Sequence, residues 1–417
     1  MSADRTQMSA DVKGGELEVL PEGSVTTPKG FLAGAAKVGV RTDWDKLDVG
    51  LVYSETPCVA AGVYTRNALK GASLVVSMEH LRRGSAQAIV ANSGCANCSV
   101  GKRGIDDAIK MAQLAGARFG IDPHEVVVAS TGVIGTFLPM DRIAAGIHAI
   151  KVSPNGGRDF AQAIMTTDTR PKHIGVRCDG WSMGGVVKGV GMIHPNMATM
   201  LCFITTDAAV ARPLLAAALK DAVDDSFNMI DVDNDTSPDD IVVVMANGLA
   251  GGDTIDAAHP AADLFRAALR TVCIGLAKQM IADAEGATKV IEARVEGANT
   301  LEDARKAARE IVVSIGVKTA IYGHDPNWGR IISAVGNSGA AMKEESLTLY
   351  LTTPDGQDVC LFRDGVPQNV EPAEAKACLA PREVRLRVTM GLGAGAATAW
   401  GSDLTEEFVR LNSMYTT

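Results

Sequence analysis

A chain of 417 residues with 49 carboxylates against 40 lysines and arginines is too long for one ordinary core and too acidic to offer nucleic acid a basic surface. With 47% hydrophobic residues, 21% charged and 43 glycines it reads as a loop-rich α/β protein, neither disordered nor fibrous, and aromatics at 4% leave no stacking platform for bases. No run approaches the roughly twenty apolar residues of a membrane-spanning helix, and MSADRTQMSADVKGGELEVL has no signal-peptide core, so a cytoplasmic protein without a membrane partner is expected.

The first fifteen residues look loose. Beyond them, AQAIVANSG (86–94) and EVVVAS (125–130) are short β-branched runs ending in small polar residues, and IDDAIKMAQLAGARFG (105–120) between them has helical periodicity. A third such strand, MLCFITTD (200–207), precedes a helix over 212–227 in which Pro213 occupies the tolerated first turn. IVVVMANG (241–248) reads as a strand and 261–283 as a long helix. From there the pattern changes. KVIEARVEG (289–297), LTLYLTT (347–353) and VRLRVTMGLG (384–393) alternate apolar with polar, as in a sheet with one wet face. TLEDARKAAREIVVS (300–314) is a helix whose Thr300 and Asp303 form an approximate capping box. The reading is therefore a main α/β lobe over 1–287 and a smaller α/β lobe over 288–417, closely packed because no Pro-, Ser- or charge-rich linker separates them.

Several motifs fail on their spacing. Eight cysteines scattered over the chain do not form a disulfide framework, and Cys95 and Cys98 make a lone CxxC with no second pair or histidines at ligand spacing, so no metal is expected. DVDND (231–235) starts like a calcium loop, but Thr236 replaces the glycine and Val242 the bidentate glutamate. The glycines of GVG (189–191) and GLGAG (391–395) lack the dinucleotide spacing. GHDPNWGR (323–330) is either a polar wall of an active site or a satisfied loop.

GMIHPNMATMLCFITTD (191–207) sets Ala198-Thr199 between a Gly/Pro/Asn loop and a buried strand. A threonine hydroxyl needs a base to become a nucleophile, and its own α-amine, with an unperturbed pKa of ~8, supplies one once the chain is cut just before it. The same hydroxyl can make the cut by attacking the preceding carbonyl, which a small residue such as Ala198 leaves open. Spacing alone does not separate this from a threonine that merely opens an interior strand.

The wider string KGVGMIHPNMATMLCFITTDA (188–208) resembles the processing segment of the ornithine acetyltransferase family, also called glutamate N-acetyltransferase. STGVIG (130–135), AIMTTDT (163–169), AEGATK (284–289), KTAIYGHDPNWGRI (318–331) and SDLTEEFVRLNSMYTT (402–417) resemble the family's other blocks in the same order, over nearly the whole chain. The resemblance implies an αββα-type sandwich akin to N-terminal-nucleophile enzymes but distinct in topology, with a smaller C-terminal α/β domain. It implies self-cleavage into 1–198 and 199–417, which stay together as an (αβ)₂ heterotetramer. Thr199 would carry the acetyl group from N²-acetylornithine to glutamate without a cofactor, with acetyl-CoA an alternative donor in some members.

Carried over residue by residue, Thr131 and Gly132 match the oxyanion-hole pair, and Thr166, Lys188, Thr199, Glu285, Asn412 and Thr417 match the substrate-contacting positions. Lys188 and Glu285 suit a zwitterion; Glu285 alternatively orients a proton relay to the Thr199 amine. The chain departs from the pattern at Cys95, Ala284, Ser402 and His324; of these Cys95 and His324 are the ones able to alter the pocket, and the sequence does not say with what effect on the acyl acceptor. Two other readings stay open: a self-processing amidase or aminopeptidase with water as acceptor, and an unprocessed amino-acid-binding homologue.

Overall fold

The computed structural model describes residues 15–194 and 200–414 and, as backbone, 9–12. In chain order the strands are β1 (Ser9–Val12), β2 (Gly15–Leu20), β3 (Phe31–Ala36), β4 (Val49–Tyr64), β5 (Ser85–Asn92), β6 (Val126–Ser130), β7 (Lys172–Cys178), β8 (Trp181–Lys188), β9 (Leu201–Thr206), β10 (Ile230–Asp231), β11 (Ile241–Ala246), β12 (Val290–Ala298), β13 (Thr348–Thr352), β14 (Asp358–Arg363), β15 (Val366–Pro367), β16 (Glu383–Thr389) and β17 (Gly395–Ser402). The helices that matter below are α1 (Ala72–Leu81), α2 (Gly101–Phe119), α3 (Met140–Ala149), α4 (Gly157–Ala163), α5 (Arg212–Asp224), α6 (Ala262–Ile281), α7 (Leu301–Val313), α8 (Ile315–Tyr322), α9 (Trp328–Asn337), α10 (Pro372–Ala377) and α11 (Glu406–Met414).

The larger sheet runs β1-β2-β7-β8-β9-β11-β4-β5-β6, with β3 also on β4. It folds back on itself at β4. Val59–Tyr64 of that strand pair with β11, whereas Val49–Tyr53 and, past a register shift, Cys58 and Val59 pair with β5; the shift between Tyr53 and Cys58 gives the bend. Side-chain alternation then sorts three cores. Ile241, Val243 and Met245 of β11 face inward with Phe203, Ile89 and Val127, between the two halves of the sheet. Val242 and Val244 face outward to α5 and α6. Ala88, Val90, Val126 and Val128 face α2 and α3 on the opposite outside. The result is a four-layer αββα sandwich, the fold class the resemblance implies.

The second sheet, β10-β17-β12-β16-β13-β14-β15, takes its strands from 290–402 and, in addition, the two-residue β10 from within the first part of the chain. Helix α7 covers it with Ala304, Ala307, Ala308, Ile311 and Val312, a stripe at helical spacing. The cap holds in detail: Thr300 Oγ1 accepts from the Asp303 N–H at 3.1 Å and donates to the Asp303 carboxylate at 2.7 Å. Helix α6 is buried over Leu264, Phe265, Leu269, Val272, Leu276 and Met280, and its apolar cluster continues into α7 and the second sheet, so one core joins the two sheets. No helix of the described residues is long and apolar enough to cross a membrane.

This topology brings strand ends from distant parts of the chain to one edge. Lys188 at the end of β8 pairs with Leu201 at the start of β9, and Leu201 with Ile241 at the start of β11. Beyond Ser130, the last residue of β6, the chain turns through Thr131 and Gly132.

Candidate active site

At that edge lies a cleft of about 310 Å³ lined by Thr131, Gly132, Thr166, Lys188, Glu285 and Asn412. All six carried-over positions that fall within the described residues therefore converge, from β6, the loop before β7, β8, the turn after α6, and α11. Ala198, Thr199 and Thr417 lie outside the described residues.

The Thr131-Gly132 turn is fixed by its backbone. The Thr131 N–H donates to the Asn92 carbonyl at 3.1 Å, so what Thr131 offers the cleft is its hydroxyl. Gly132 has φ 129°, and a Cβ there would stand 2.4 Å from the Gly94 carbonyl carbon and 2.6 Å from the Cys95 nitrogen; only glycine fits. Lys188, 3% exposed, donates from Nζ to Thr131 Oγ1 at 2.9 Å. With that lone pair occupied, the Thr131 hydroxyl hydrogen is directed elsewhere.

The loop carrying Thr166 is anchored from below. Thr166 donates its N–H to Asp168 at 3.0 Å, and Asp168 also accepts from the Gly189 N–H at 2.9 Å. Lys172, fully buried, sits 2.6 Å from both Asp168 and Asp283, tying this loop to the turn after α6. Burial alone would raise the Asp168 pKa, but Lys172, Lys188 and the Gly189 N–H outweigh it and hold the carboxyl down to about 2. Replacing Lys172 by methionine breaks the salt bridges of two buried carboxylates at once. The expected outcome is a loss of about 3–5 kcal/mol in denaturant unfolding, and an unmoved midpoint would mean that the triad does not hold the loop.

Glu285 is positioned on three sides. Its carboxylate accepts from Thr167 Oγ1 at 2.7 Å and from Asn412 Nδ2 at 3.0 Å, and its N–H donates to the Val190 carbonyl at 2.9 Å. Gly191 lies against it: a Cβ at Gly191 would be 2.7 Å from the carboxylate.

The opposite wall holds Asp233, from the run quoted above as a failed calcium loop, and two residues that sequence reasoning did not single out, Ser237 and Asp239. Asp239 is pushed up to about 8 by burial, with Lys188 pulling the other way, and Asp240 is raised well above the carboxylate range by burial, against the Met200 N–H that it accepts. Lys188 itself is lowered by its burial, which Asp168 and Asp240 oppose. Around the cleft, an Asp168 held low thus stands near two carboxyls, Asp239 and Asp240, that burial pushes up.

Two of the departures lie away from the lining of this cleft. Cys95 does not line the cleft; it is 3% exposed beneath the Gly132 turn, its thiol donating to the Thr136 carbonyl at 3.2 Å. His324 is exposed in the turn between α8 and α9 and is also absent from the cleft wall. GHDPNWGR is the satisfied loop of the two alternatives: Asn327 caps α9 through the Arg330 N–H, and Arg330 donates to the Gly316 carbonyl at 2.9 Å. Neither Cys95 nor His324 therefore shapes the pocket by direct contact.

The sequence model of the ArgJ family matches residues 32–417. A Dehalococcoides mccartyi protein named arginine biosynthesis bifunctional protein ArgJ is 46% identical, over 96% of this chain and 99% of its own. A Bacillus subtilis protein of the same name is 44% identical, over 95% of this chain and 97% of its own. Among solved structures, an arginine biosynthesis bifunctional protein from Bacillus halodurans aligns with 42% identity and a TM-score of 0.48, covering 51% of this chain and 97% of that one. A Mycobacterium tuberculosis ornithine acetyltransferase complexed with ornithine aligns with 35% identity and a TM-score of 0.42, covering 44% and 100%. With the family's model matched across most of the sequence and its relatives matched end to end, the chain belongs to the ArgJ family.

Proposed function

We propose that this chain is a self-processing acetyltransferase that moves acetyl from N²-acetylornithine to glutamate, with acetyl-CoA as an alternative donor, and that it acts in the cytoplasm as an (αβ)₂ assembly of the fragments 1–198 and 199–417. The observation that carries this reading is the convergence of Thr131, Gly132, Thr166, Lys188, Glu285 and Asn412 on one cleft from positions spread over nearly 300 residues. Family membership and the relatives' place in arginine biosynthesis agree with it.

In the proposed reaction Thr199 Oγ attacks the acetamide carbonyl and its proton passes to the freed α-amine. Charge developing on the amide oxygen is met by the Thr131 hydroxyl and the Gly132 N–H. The C–N bond then breaks, the amine proton goes to the leaving nitrogen, and ornithine departs from an acetyl-Thr199 ester. Glutamate enters the same pocket, its neutral amine attacks the ester, and N-acetylglutamate leaves as the proton returns through the Thr199 amine to the hydroxyl. Both half-reactions balance without a further co-reactant. Glu285, held by Thr167 and Asn412, faces the ammonium side of the amino acid, and Lys188 supplies the opposing charge beside Thr131. Thr166, Asn412 and Thr417 complete the substrate contacts.

Incubation with acetyl-labelled N²-acetylornithine and no acceptor is expected to leave label on the fragment that begins at Thr199, and glutamate is expected to discharge it as N-acetylglutamate. Label on another residue, or acetate released at one rate with and without glutamate, argues for a different nucleophile or a hydrolase.

A further inference from the structure

The acidic run 231–235 is unfit for calcium, and the proposed reaction gives it no part, yet it makes some of the most closely spaced contacts in the molecule. From Gly189 to His194 the chain is held almost residue by residue. Beyond the contacts of Gly189 and Val190 described above, Met192 and Ile193 both donate their N–H groups to the Asp233 carboxylate, Ile193 at 2.8 Å. The Ile193 carbonyl accepts from the Val232 N–H at 2.8 Å, and His194 Nδ1 lies 3.1 Å from Asp231 Oδ1.

Asp231 is anchored in turn. Buried Lys318 of α8 stands 2.9 Å from its carboxylate and donates to the carbonyls of Val232 and Ser402, which fixes the run to the second sheet. On the other side of residues 195–199, the Met200 N–H donates to Asp240 Oδ1 at 2.9 Å and the Ile241 N–H to the Met200 carbonyl at 3.1 Å. One short stretch, 231–241, therefore holds both flanks. Met192 meanwhile sits at φ 55°, a left-handed conformation that a long side chain adopts only when its surroundings impose it. Two consecutive N–H groups on one carboxylate are such a constraint.

We infer that the 231–241 stretch is a clamp for self-cleavage, in which Asp233 and Asp240 are positioning residues that fix the two flanks of the Ala198-Thr199 bond. The inference rests on the self-processing reading of the preceding subsection. Attack of a hydroxyl on the neighbouring carbonyl is intramolecular, and its rate depends on how narrowly the reacting geometry is populated. The contacts on Met192, Ile193 and Met200 fix the chain on both sides of that attack. After the cut the same contacts keep the end of the first fragment docked on the second, because 231–241 belongs to 199–417.

The test follows processing in a cell-free translation reaction, with the intact and cleaved chains separated on denaturing gels over time. Asp233→Asn keeps the size but offers one acceptor to two N–H groups and turns an NH₂ toward the second; processing is expected to slow about tenfold or more. Asp240→Ala is expected to slow it similarly, whereas Asp240→Asn restores the rate, because the amide oxygen still accepts from the Met200 N–H. In an uncleavable Thr199→Ala background the thermal midpoints of these variants are expected to stay within a few degrees of the parent. Asp233→Asn and Asp240→Ala chains that process at the wild-type rate would overturn the clamp alone, as would slow processing matched by a collapse of the midpoint. A wild-type chain that is active and never cut would instead overturn the self-processing reading.

Discussion

Replacing Thr199 by alanine is expected to leave one 43.5 kDa polypeptide on a denaturing gel and to abolish acetyl transfer from both N²-acetylornithine and acetyl-CoA. One hydroxyl serves twice in the proposed scheme. It cuts the bond to Ala198, and the cut liberates the amine that later activates it. Removing a covalent nucleophile lowers turnover by roughly 10⁴-fold or more, the scale set by nucleophile knock-outs in other covalent enzymes. Thr199→Ser keeps the oxygen and is expected to retain both processing and turnover at reduced rates. The cleft should survive the alanine change, since its described walls are held by contacts that do not involve residue 199: Lys172 with Asp168 and Asp283, Glu285 with Thr167 and Asn412. Equilibrium binding of N²-acetylornithine to the uncut variant separates lost chemistry from a lost pocket. Mass spectrometry of fully active wild-type enzyme that finds an unbroken chain would defeat the scheme.

What was legible in the sequence depended on whether the signal was local. Helices α5, α6 and α7 announce themselves by period and by Pro213, Thr300 and Asp303, and each is present within a few residues of its expected ends. The four-layer arrangement was not readable from periodicity. Strands β9 and β11 are buried on both faces, so LCFITT and IVVVMA read as continuous apolar runs that do not say which side meets which layer. Strand β4 carries Ser-Glu-Thr-Pro in its middle, which reads as a loop and proves to be the bend at which the sheet folds over. Helix α1, ASLVVSMEHL, buries residues on most of its faces and so shows little periodicity.

The site followed the same rule. Thr131, Gly132, Thr166, Lys188, Glu285 and Asn412 were named through short family blocks, and the fold gathers them. The Asp168–Lys172–Asp283 triad joins residues more than a hundred positions apart, and nothing local marks Asp283 as their partner. The run 231–235 did carry a signal, three aspartates at alternate positions with no calcium geometry, and the physical reason for it is the backbone N–H groups it must hold.

Thr131→Ala is expected to cost on the order of 100-fold or more in turnover, the usual loss for one oxyanion donor, with the KM for N²-acetylornithine changed far less. Lys188→Met is expected to fall in the same range, because its ammonium occupies the Thr131 oxygen and directs the remaining hydrogen into the cleft. The two should act as one unit, so the double variant is expected to lose little more than the worse single variant, well short of the product of the two. The methionine change should also leave the fold standing. Of the acids around Lys188, Asp239 is pushed up to about 8 and Asp240 well above its ordinary range by burial, which lessens their need of a cation. Asp168 keeps Lys172 at 2.6 Å. Removing Lys188 therefore breaks none of the described salt bridges, in contrast to removing Lys172, which breaks two. Turnover of the double variant equal to the product of the singles would show that Lys188 and Thr131 act independently, and a Lys188→Met chain that unfolds as readily as Lys172→Met would place the lysine in the scaffold, outside the chemistry.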